Sequence, residues 1–115
     1  MKRSIFVLLL LSAFSIMFSQ TEALWLRYPS ISPDGSKIAF TFKGDIYLVA
    51  SEGGTATPLT FHEAHDFMPV WSNDGKFIAF ASDRYGNFDI YIVSVSGGEP
   101  ARLTFHSSNE YPYSF

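Results

Sequence analysis

The stretch SPDGSKIAF at residues 32–40 returns as SNDGKFIAF at residues 72–80. Sliding the chain by 40 positions gives seven identities over the fifteen residues 28–42. Sliding it by 44 positions gives ten identities over the eighteen residues 45–62. Self-similarity at a period of 40 to 45 residues indicates a repeat architecture, so we interpret the chain as two tandem copies of one structural unit.

The two copies differ in length at one point. Lys43 and Gly44 of the first copy correspond to the six residues 83–88 of the second. A length change at a polar, glycine-containing position is typical of a surface loop. We therefore predict a hairpin loop of variable size at this point of each copy.

Within each copy, alternating residues and turn signals predict four short strands. Pro33, Asp34 and Gly35 have the residue types that close a hairpin, because proline presets φ, aspartate bonds nearby backbone and glycine accepts positive φ. The predicted strands cover residues 28–32, 37–42, 45–50 and 57–60, and then 67–72, 76–82, 89–95 and 101–104. No stretch after residue 23 shows convincing helical spacing.

Four antiparallel strands repeated every 40 to 45 residues are typical of a β-propeller blade. A β-sandwich is the alternative, but it does not require successive near copies. The predicted fold class is all-β: a β-propeller with about two four-stranded antiparallel blades, at about 28–62 and 67–106, plus the start of a third at about 109–115. Recurring aromatic side chains are expected to pack between neighbouring blades: Phe40, Tyr47, Phe80 and Tyr91.

Stacked repeats are stabilised by their neighbours and by closure of the ring. The sequence is therefore expected to be an N-terminal fragment of a propeller. Either the remaining blades of the same chain or an oligomer would be needed to close it.

The first 23 residues are expected to be a secretory signal. Lys2 and Arg3 precede an apolar run at residues 5–18, which has the build of a signal peptide. The run is shorter than the roughly 20 apolar residues that span a bilayer. Cleavage after Ala23 would leave an incomplete propeller domain at residues 24–115; cleavage after Ser19 and an uncleaved anchor are the alternatives. We expect a periplasmic or secreted protein without stable membrane insertion after cleavage.

The charge argues against a nucleic-acid-binding protein, and the cysteine content excludes a fold stabilised by disulfides. Residues 24–115 carry six basic and ten acidic side chains, a net charge of −4 with histidine neutral. Nucleic-acid binders need a basic surface, so we expect no nucleic-acid partner. The sequence contains no cysteine, so packing rather than a disulfide framework must stabilise the fold.

The string HEAHD at residues 62–66 raises the question of zinc binding. Its two histidines are three positions apart, whereas the helical His-Glu-x-x-His motif places them four apart. His62 also recurs as His106, while His65 has no counterpart. This pattern favours packing or a hydrogen bond within the repeat over a ligand role.

The string DRYGNFD at residues 83–89 offers clustered oxygen atoms that could suggest calcium. Its spacing does not match a calcium loop, and Asp89 recurs as Asp45 without the other oxygen donors, which favours a bond at the strand entry. No Gly-x-Ser-x-Gly elbow occurs either. We predict no catalytic residue, no metal site and no cofactor in this stretch, and any peptidase activity would depend on residues downstream.

The repeat resembles the TolB-like β-propeller family, whose usual form runs Trp-Ser-Pro-Asp-Gly-Lys, Ile-Ala-Phe, Asp-Ile-Tyr, Gly-Gly and Leu-Thr. The strings SPDGSKIAF, GDIYLVASEGGTATPLT and SNDGKFIAFASDRYGNFDIYIVSVSGGEPARLT carry the resemblance. Asn73 stands in the proline position, and Ile31 stands where the tryptophan is usual. Proteins of the TolB type have an α/β domain that is followed by a propeller. Here the repeats follow the signal closely, which looks more like the N-terminal propeller of a tricorn-like serine peptidase.

The resemblance implies a noncatalytic propeller that binds a protein or peptide. A TolB-type periplasmic scaffold of the Tol-Pal system is the alternative, and a small domain that closes by oligomerising is a third possibility. Binding is expected in the loops that differ between copies. Arg84 and Tyr85 offer the donor and amphipathic ring that interfaces favour, although a solvated hairpin tip is the other interpretation. His62 and His65 complete the candidate set.

Overall fold

The computed structural model describes residues 26–115. The predicted signal segment at residues 1–23 lies outside the described residues. The first sheet contains β1 (Arg27–Ile31), β2 (Lys37–Phe42), β3 (Asp45–Ala50) and β4 (Thr57–Pro58). The second contains β5 (Asp66–Trp71), β6 (Phe77–Tyr85), β7 (Asn87–Ser94) and β8 (Ala101–Arg102).

Each sheet has four strands in sequence order, and every neighbouring pair is antiparallel. The described part of the chain contains no helix. These two sheets confirm the predicted all-β fold of successive four-stranded units. Residues 109–115 lie in no strand, so the third blade and the predicted blade limits stay predictions.

The same turn closes the first hairpin of both sheets. In the first sheet, the Ser32 hydroxyl donates to Asp34 Oδ1 at 2.7 Å and the Ser36 amide donates to the same oxygen at 3.0 Å. Gly35 completes the turn at φ 74°, where a side chain would be strained. These donors, with the Ser32 hydroxyl first and the Ser36 amide next, lower the pKa of Asp34 to about 2.

A β-bulge that the sequence did not predict interrupts the first strand of each sheet. Tyr28 and Met68 have φ of 52° and 57°, and the strand register shifts at both positions. A proline follows each of them, and proline has no N–H to donate to the next strand. The bulge therefore falls where regular pairing cannot continue.

The tips of the second hairpins differ more than expected. Lys43 and Gly44 both have positive φ, 49° and 80°, as in a tight two-residue hairpin turn. In the second sheet, β6 runs to Tyr85 and pairing continues from Ser82 to Tyr85 across a register shift. Most of residues 83–88 are thus strand rather than the predicted loop, because a bulge lets the ladder extend beyond Ser82.

The core lies between the two sheets. The two sheets do not use equivalent faces of the repeat for this contact. One face of the second sheet packs against the face of the first sheet that is opposite in terms of the repeat, as expected for neighbouring blades. The core contains Ala39, Ile46, Leu48 and Leu59 from the first copy and Trp71, Ile78, Phe80, Tyr91 and Val93 from the second. Phe80 and Tyr91 therefore lie between blades as predicted, with ring centroids 5.9 Å apart.

Phe40 and Tyr47 stack on each other at 5.8 Å on the other face of the first sheet. Their strand neighbours Ala39 and Leu48 point into the core, so alternation directs these two rings away from the second sheet. Within the described residues, their expected interblade packing is therefore not formed.

Candidate binding site

The loops that differ between the copies meet at one end of the sheets. In an antiparallel sheet, the β2–β3 hairpin, the β4–β5 crossing and the β6–β7 hairpin all lie on the same side. We call this side the loop end and the side of the Ser-Asp turns the turn end. The loop end comprises residues 43–44, 59–65, 83–88 and 103–108.

Hydrogen bonds join the β4–β5 crossing to the hairpins on either side of it. The His65 amide donates to Asp83 Oδ1 at 2.8 Å, which joins the crossing to the β6–β7 hairpin. The Asp66 amide donates to the Gly44 carbonyl oxygen at 2.8 Å, which joins it to the β2–β3 hairpin. A Cβ on Gly44 would lie 3.3 Å from His65 Nδ1, so the absent side chain lets the crossing approach closely.

His62 and His106 make the same local contact in the two copies. The Nδ1 atom of His62 accepts from the Ala64 amide at 3.0 Å, and that of His106 accepts from the Ser108 amide at 3.1 Å. Histidine here closes a short turn after each Leu-Thr-Phe segment. Within residues 26–115, no group of three or more potential metal-ligating side chains occurs.

Arg84 is held inside the loop end. Its Nη2 donates to Asp66 Oδ2 at 2.9 Å and its Nε donates to the Ser82 hydroxyl at 3.1 Å. The side chain is 10% exposed, and Asp66 is fully buried. Arg84 therefore balances a buried carboxylate, whereas Tyr85 beside it is 70% exposed.

A second ion pair joins the partly exposed Arg102 to the fully buried Asp89. The Arg102 Nη2 donates to Asp89 Oδ2 at 2.6 Å, and the guanidinium lies 4.8 Å from the Tyr85 ring and 4.5 Å from the Phe105 ring. Asp89 thus forms an ion pair that its counterpart Asp45 cannot form, because Pro58 replaces the arginine in the first copy. Arg102 was missed in the sequence because the first copy has Pro58 at this position.

Asp45 and Asp66 lie close enough to Arg84 to interact with its charge; Asp66 is fully buried and Asp45 is partly exposed. Burial raises the pKa of Asp45, and the negative charge of Asp66 raises it further. The Oδ1 atoms of both aspartates are buried without a hydrogen-bond partner in the described part of the chain. The ion pair with Arg84 balances the charge of Asp66, while burial and the charge of Asp66 shift the pKa of Asp45 upward from its ordinary value.

Three large aromatic side chains at the loop end face solvent. Phe61 is 81% exposed, Phe105 is 73% exposed and Tyr85 is 70% exposed. Exposed aromatic rings of this kind are enriched at protein interfaces. His62 is also exposed and lines the same surface depression as Tyr85 and Phe105, whereas His65, which is exposed too, packs against Phe67 and Phe88.

A cleft of about 450 Å³ lies between the first strands of the two sheets. We call it the β1–β5 cleft. Its walls include Arg27, Tyr28, Thr41, Lys43, His65 and Phe67. Phe67 anchors one wall, since its ring lies 5.5 Å from Tyr28 and 5.1 Å from His65.

Thr41 is the unusual member of this cleft. It is 4% exposed, and its hydroxyl has no hydrogen-bond partner among the described residues. The second copy has Ala81 at the equivalent position. This difference was visible in the sequence, but it did not reveal that the hydroxyl would border a cleft.

The described residues contain no helix that is long and apolar enough to cross a membrane.

Two four-stranded antiparallel sheets packed as successive blades define a β-propeller. The chain belongs to the family of the tricorn protease N-terminal β-propeller domain, whose model matches residues 23–115.

Solved structures support the same fold. A structure assigned as TolB from Agrobacterium tumefaciens is 30% identical and superposes with a TM-score of 0.72 over 79% of this chain and 34% of that one. TolB from Acinetobacter baumannii is 32% identical, with a TM-score of 0.60 over 70% of this chain and 21% of that one. The resemblance to TolB-like propellers is confirmed.

An uncharacterized peptidase of Bacillus subtilis, YuxL, is 33% identical over 69 residues, covering 51% of this chain and 10% of that protein. The chain thus spans about a tenth of this peptidase and between a fifth and a third of the two TolB chains.

Proposed function

We propose that the chain is an exported, noncatalytic propeller segment that binds a protein or peptide through its loop end. The observation that carries the proposal is the convergence of the variable loops at one end, with Phe61, Tyr85 and Phe105 mostly exposed there. The bonds from His65 to Asp83 and from Arg84 to Asp66 hold these loops in place. A preformed aromatic surface loses less entropy on binding than a mobile one.

The peptidase context is favoured by the family match and by the similarity to YuxL. In this context the propeller guides or filters a substrate toward an active site elsewhere in the protein. A TolB-type scaffold of the bacterial envelope is the second candidate, favoured by the TM-score of 0.72 with the Agrobacterium structure. Assaying the full natural protein for peptide hydrolysis with a serine-directed inhibitor separates the two: inhibitable hydrolysis supports the first, and its absence favours the second.

A site-specific crosslinking experiment tests binding at the loop end. A photoreactive amino acid replaces Tyr85 in the full natural protein, and the matched control replaces Phe77, which is 41% exposed at the turn end. We expect a reproducible adduct with one partner from position 85 and none from position 77. Equal crosslinking from both positions would contradict the proposal.

The affinity of the purified partner gives a second measurement. Exposed aromatic anchors often dominate binding energy, so Tyr85→Ala should weaken binding by about tenfold or more. Phe77→Ala should leave the affinity unchanged. Export is tested by N-terminal sequencing of the secreted or periplasmic protein, with Leu24 expected as the first residue; an intact Met1 on a cytoplasmic protein would contradict it.

A further inference from the structure

We propose that a depression beside Tyr85 binds an aromatic side chain of a peptide together with the backbone carbonyl next to it. This inference rests on the proposed peptide-binding function and names the chemical group that is recognised. The depression has a volume of about 430 Å³, and we call it the Tyr85 depression. Its walls include Arg84, Tyr85, Tyr91, Glu99, Arg102 and Phe105.

Two exposed aromatic rings of the depression are held in place by one arginine. The Arg102 guanidinium lies 4.8 Å from the centre of the Tyr85 ring and 4.5 Å from that of the Phe105 ring. Arg102 is itself fixed, since its Nη2 donates to Asp89 and its Nε donates to the Thr104 carbonyl oxygen at 2.9 Å. The two rings are therefore ordered before a ligand arrives, which lowers the entropic cost of binding.

Tyr91 supplies a second, independent observation. It is 3% exposed, and its hydroxyl has no hydrogen-bond partner among the described residues, although buried polar groups are normally paired. The charges of Arg102 and Arg84 act on this hydroxyl, which therefore lies beside the guanidinium groups of the same wall. Burial raises the pKa of Tyr91 above the ordinary value of 10.0, so the hydroxyl keeps its proton. It is a donor without an acceptor, and a peptide carbonyl in the depression would supply one.

The two arginines of the depression are already neutralised. Arg84 is paired with Asp66 at 2.9 Å, and Arg102 is paired with Asp89 at 2.6 Å. An anionic ligand would gain little from these guanidinium groups, because each has a carboxylate beside it. A cationic ligand would meet two positive groups in the wall. The ion pairs therefore favour an uncharged ligand.

His62 and Glu99 also line the depression, and they lead to the same conclusion. The Nδ1 atom of His62 accepts from the Ala64 amide at 3.0 Å, which requires an imidazole without a proton on that atom. Glu99 is exposed, and its negative charge opposes a carboxylate ligand. Neither sign of charge is favoured, whereas a neutral side chain avoids both repulsions.

The walls favour an aromatic side chain over an aliphatic one. Aromatic pairs gain energy beyond the area that they bury, and Tyr85 and Phe105 offer two such partners. Guanidinium groups are attracted to the faces of aromatic rings even when they are paired, and Arg84 already lies 5.1 Å from the Tyr91 ring. The volume is at the lower end of the roughly 300–1,000 Å³ of ligand pockets, so it suits one ring and one peptide unit.

Three peptides measure this preference, each titrated against the full natural protein by saturation-transfer NMR. A serine-directed inhibitor is present throughout so that no peptide is hydrolysed. Acetyl-Ala-Phe-Ala-amide carries an aromatic ring, its cyclohexylalanine analogue carries a saturated ring of similar size, and acetyl-Ala-Ala-Ala-amide carries no ring. We expect the phenylalanine peptide to bind roughly two- to tenfold more tightly than the cyclohexylalanine peptide, and the alanine peptide to bind most weakly.

Variants then assign the binding to the depression. Tyr91→Phe should weaken binding of the phenylalanine peptide about three- to tenfold, because the carbonyl loses its donor. The matched control is Tyr47→Phe, at the counterpart position of the first copy and outside the depression, which should leave the affinity unchanged. Phe105→Ala should weaken binding by a similar factor, with the exposed Phe77→Ala as its control.

Thermal stability separates a binding role of Tyr91 from a structural one. Tyr91→Phe removes a buried hydroxyl that has no partner, so the variant should melt at the same temperature as the wild-type protein or at a higher one. A lower melting temperature would show that the hydroxyl already has a partner in the fold, and it would contradict the inference.

The inference would also be overturned if the phenylalanine peptide failed to bind, bound no more tightly than the cyclohexylalanine peptide, or kept its affinity in Tyr91→Phe. The proposed function is tested separately by the crosslink from position 85. An adduct with a partner, together with any of these negative results, refutes the depression alone. Peptide binding that depends on Tyr91, without an adduct from position 85, supports the depression and refutes partner binding through the loop end.

Discussion

Trp71 and Ser30 join the two sheets: the indole Nε1 of Trp71 donates to the Ser30 carbonyl oxygen at 2.8 Å. Trp71 is 7% exposed, whereas Ile31, its counterpart in the first copy, is 62% exposed. The tryptophan of the repeat therefore acts across the blade boundary, on the strand of the preceding blade. Ile31 has no preceding blade within the described residues to contact.

Replacing Trp71 should destabilise the propeller in proportion to what is removed. Trp71→Phe keeps most of the buried ring but loses the bond to Ser30, at a cost of about 1 kcal/mol. Trp71→Ala also leaves a cavity and should cost about 3–5 kcal/mol. Urea unfolding of the full natural protein measures both values. Equal stability of Trp71→Phe and wild type would show that the hydrogen bond contributes nothing.

Arg84→Met should destabilise strongly because it leaves the buried Asp66 carboxylate without its ion pair. Breaking such a pair costs about 3–5 kcal/mol. The double variant Arg84→Met with Asp66→Asn should recover part of this loss, since no buried charge remains. Arg102→Met is the matched control: its side chain is 24% exposed, so solvent reduces its loss. Similar losses for the two arginine variants would contradict the argument from burial.

Thr60 makes a buried hydrogen bond that recurs in the second copy. Its Oγ1 accepts from the Ile46 amide at 2.9 Å, and Thr104 Oγ1 accepts from the Ile90 amide at the same distance. Thr60→Val leaves a buried N–H unpaired and should cost about 1–3 kcal/mol, whereas Thr60→Ser should cost less. Amide hydrogen exchange provides a local readout: Ile46 should exchange faster in the valine variant, and unchanged protection would argue against the role.

Asp34 should make stability fall in acid. Its folded-state pKa is about 2 against an ordinary 3.8, so the native state favours the charged form. The resulting stabilisation is fully present above about pH 4 and is lost as the pH falls toward 2. Asp34→Asn should be less stable than wild type at pH 5, with the difference shrinking by pH 2. A constant difference across that range would contradict this linkage.

The contribution of Asp45 to stability should change with pH in the opposite direction to that of Asp34. Burial and the charge of Asp66 raise its pKa, so the native state binds a proton more tightly than the unfolded chain does. Its contribution to stability therefore declines as the pH rises through and above the ordinary aspartate range. Asp45→Asn should be more stable than wild type at pH 7, and this gain should disappear below about pH 4. Thermal unfolding of both proteins at the two pH values measures the effect.

Much of the fold was predictable because its signals are local. The strands predicted at 37–42 and 45–50 coincide with β2 and β3, and the Ser-Asp-Gly turns form as the repeat suggested. The two strands of the β6–β7 hairpin were predicted too short, because residues 83–88 have the polar composition of a loop. A register shift after Ser82 lets the two strands pair further toward the tip. This extension depends on the partner strand and not on local sequence alone.

The candidate site was predictable only in outline. The length difference and the HEAHD string directed attention to the loop end, where Tyr85, His62 and His65 are exposed. Arg84 shares this segment, but it is drawn inward by Asp66, a residue 18 positions away. The cleft beside Thr41 had no sequence motif, because its walls come from separate strands.

The sequence by itself determined the repeat unit, its four strands and its turns, because alternation, glycine, proline and Ser-Asp pairs act over a few residues. Only the tertiary structure decided which strand face meets the neighbouring sheet, which acidic groups gain an arginine and which hydroxyl borders a cleft. These outcomes depend on packing two similar sheets against each other. The same residue type then occupies different surroundings in each copy: Phe80 lies between the sheets, whereas its counterpart Phe40 lies on the opposite face.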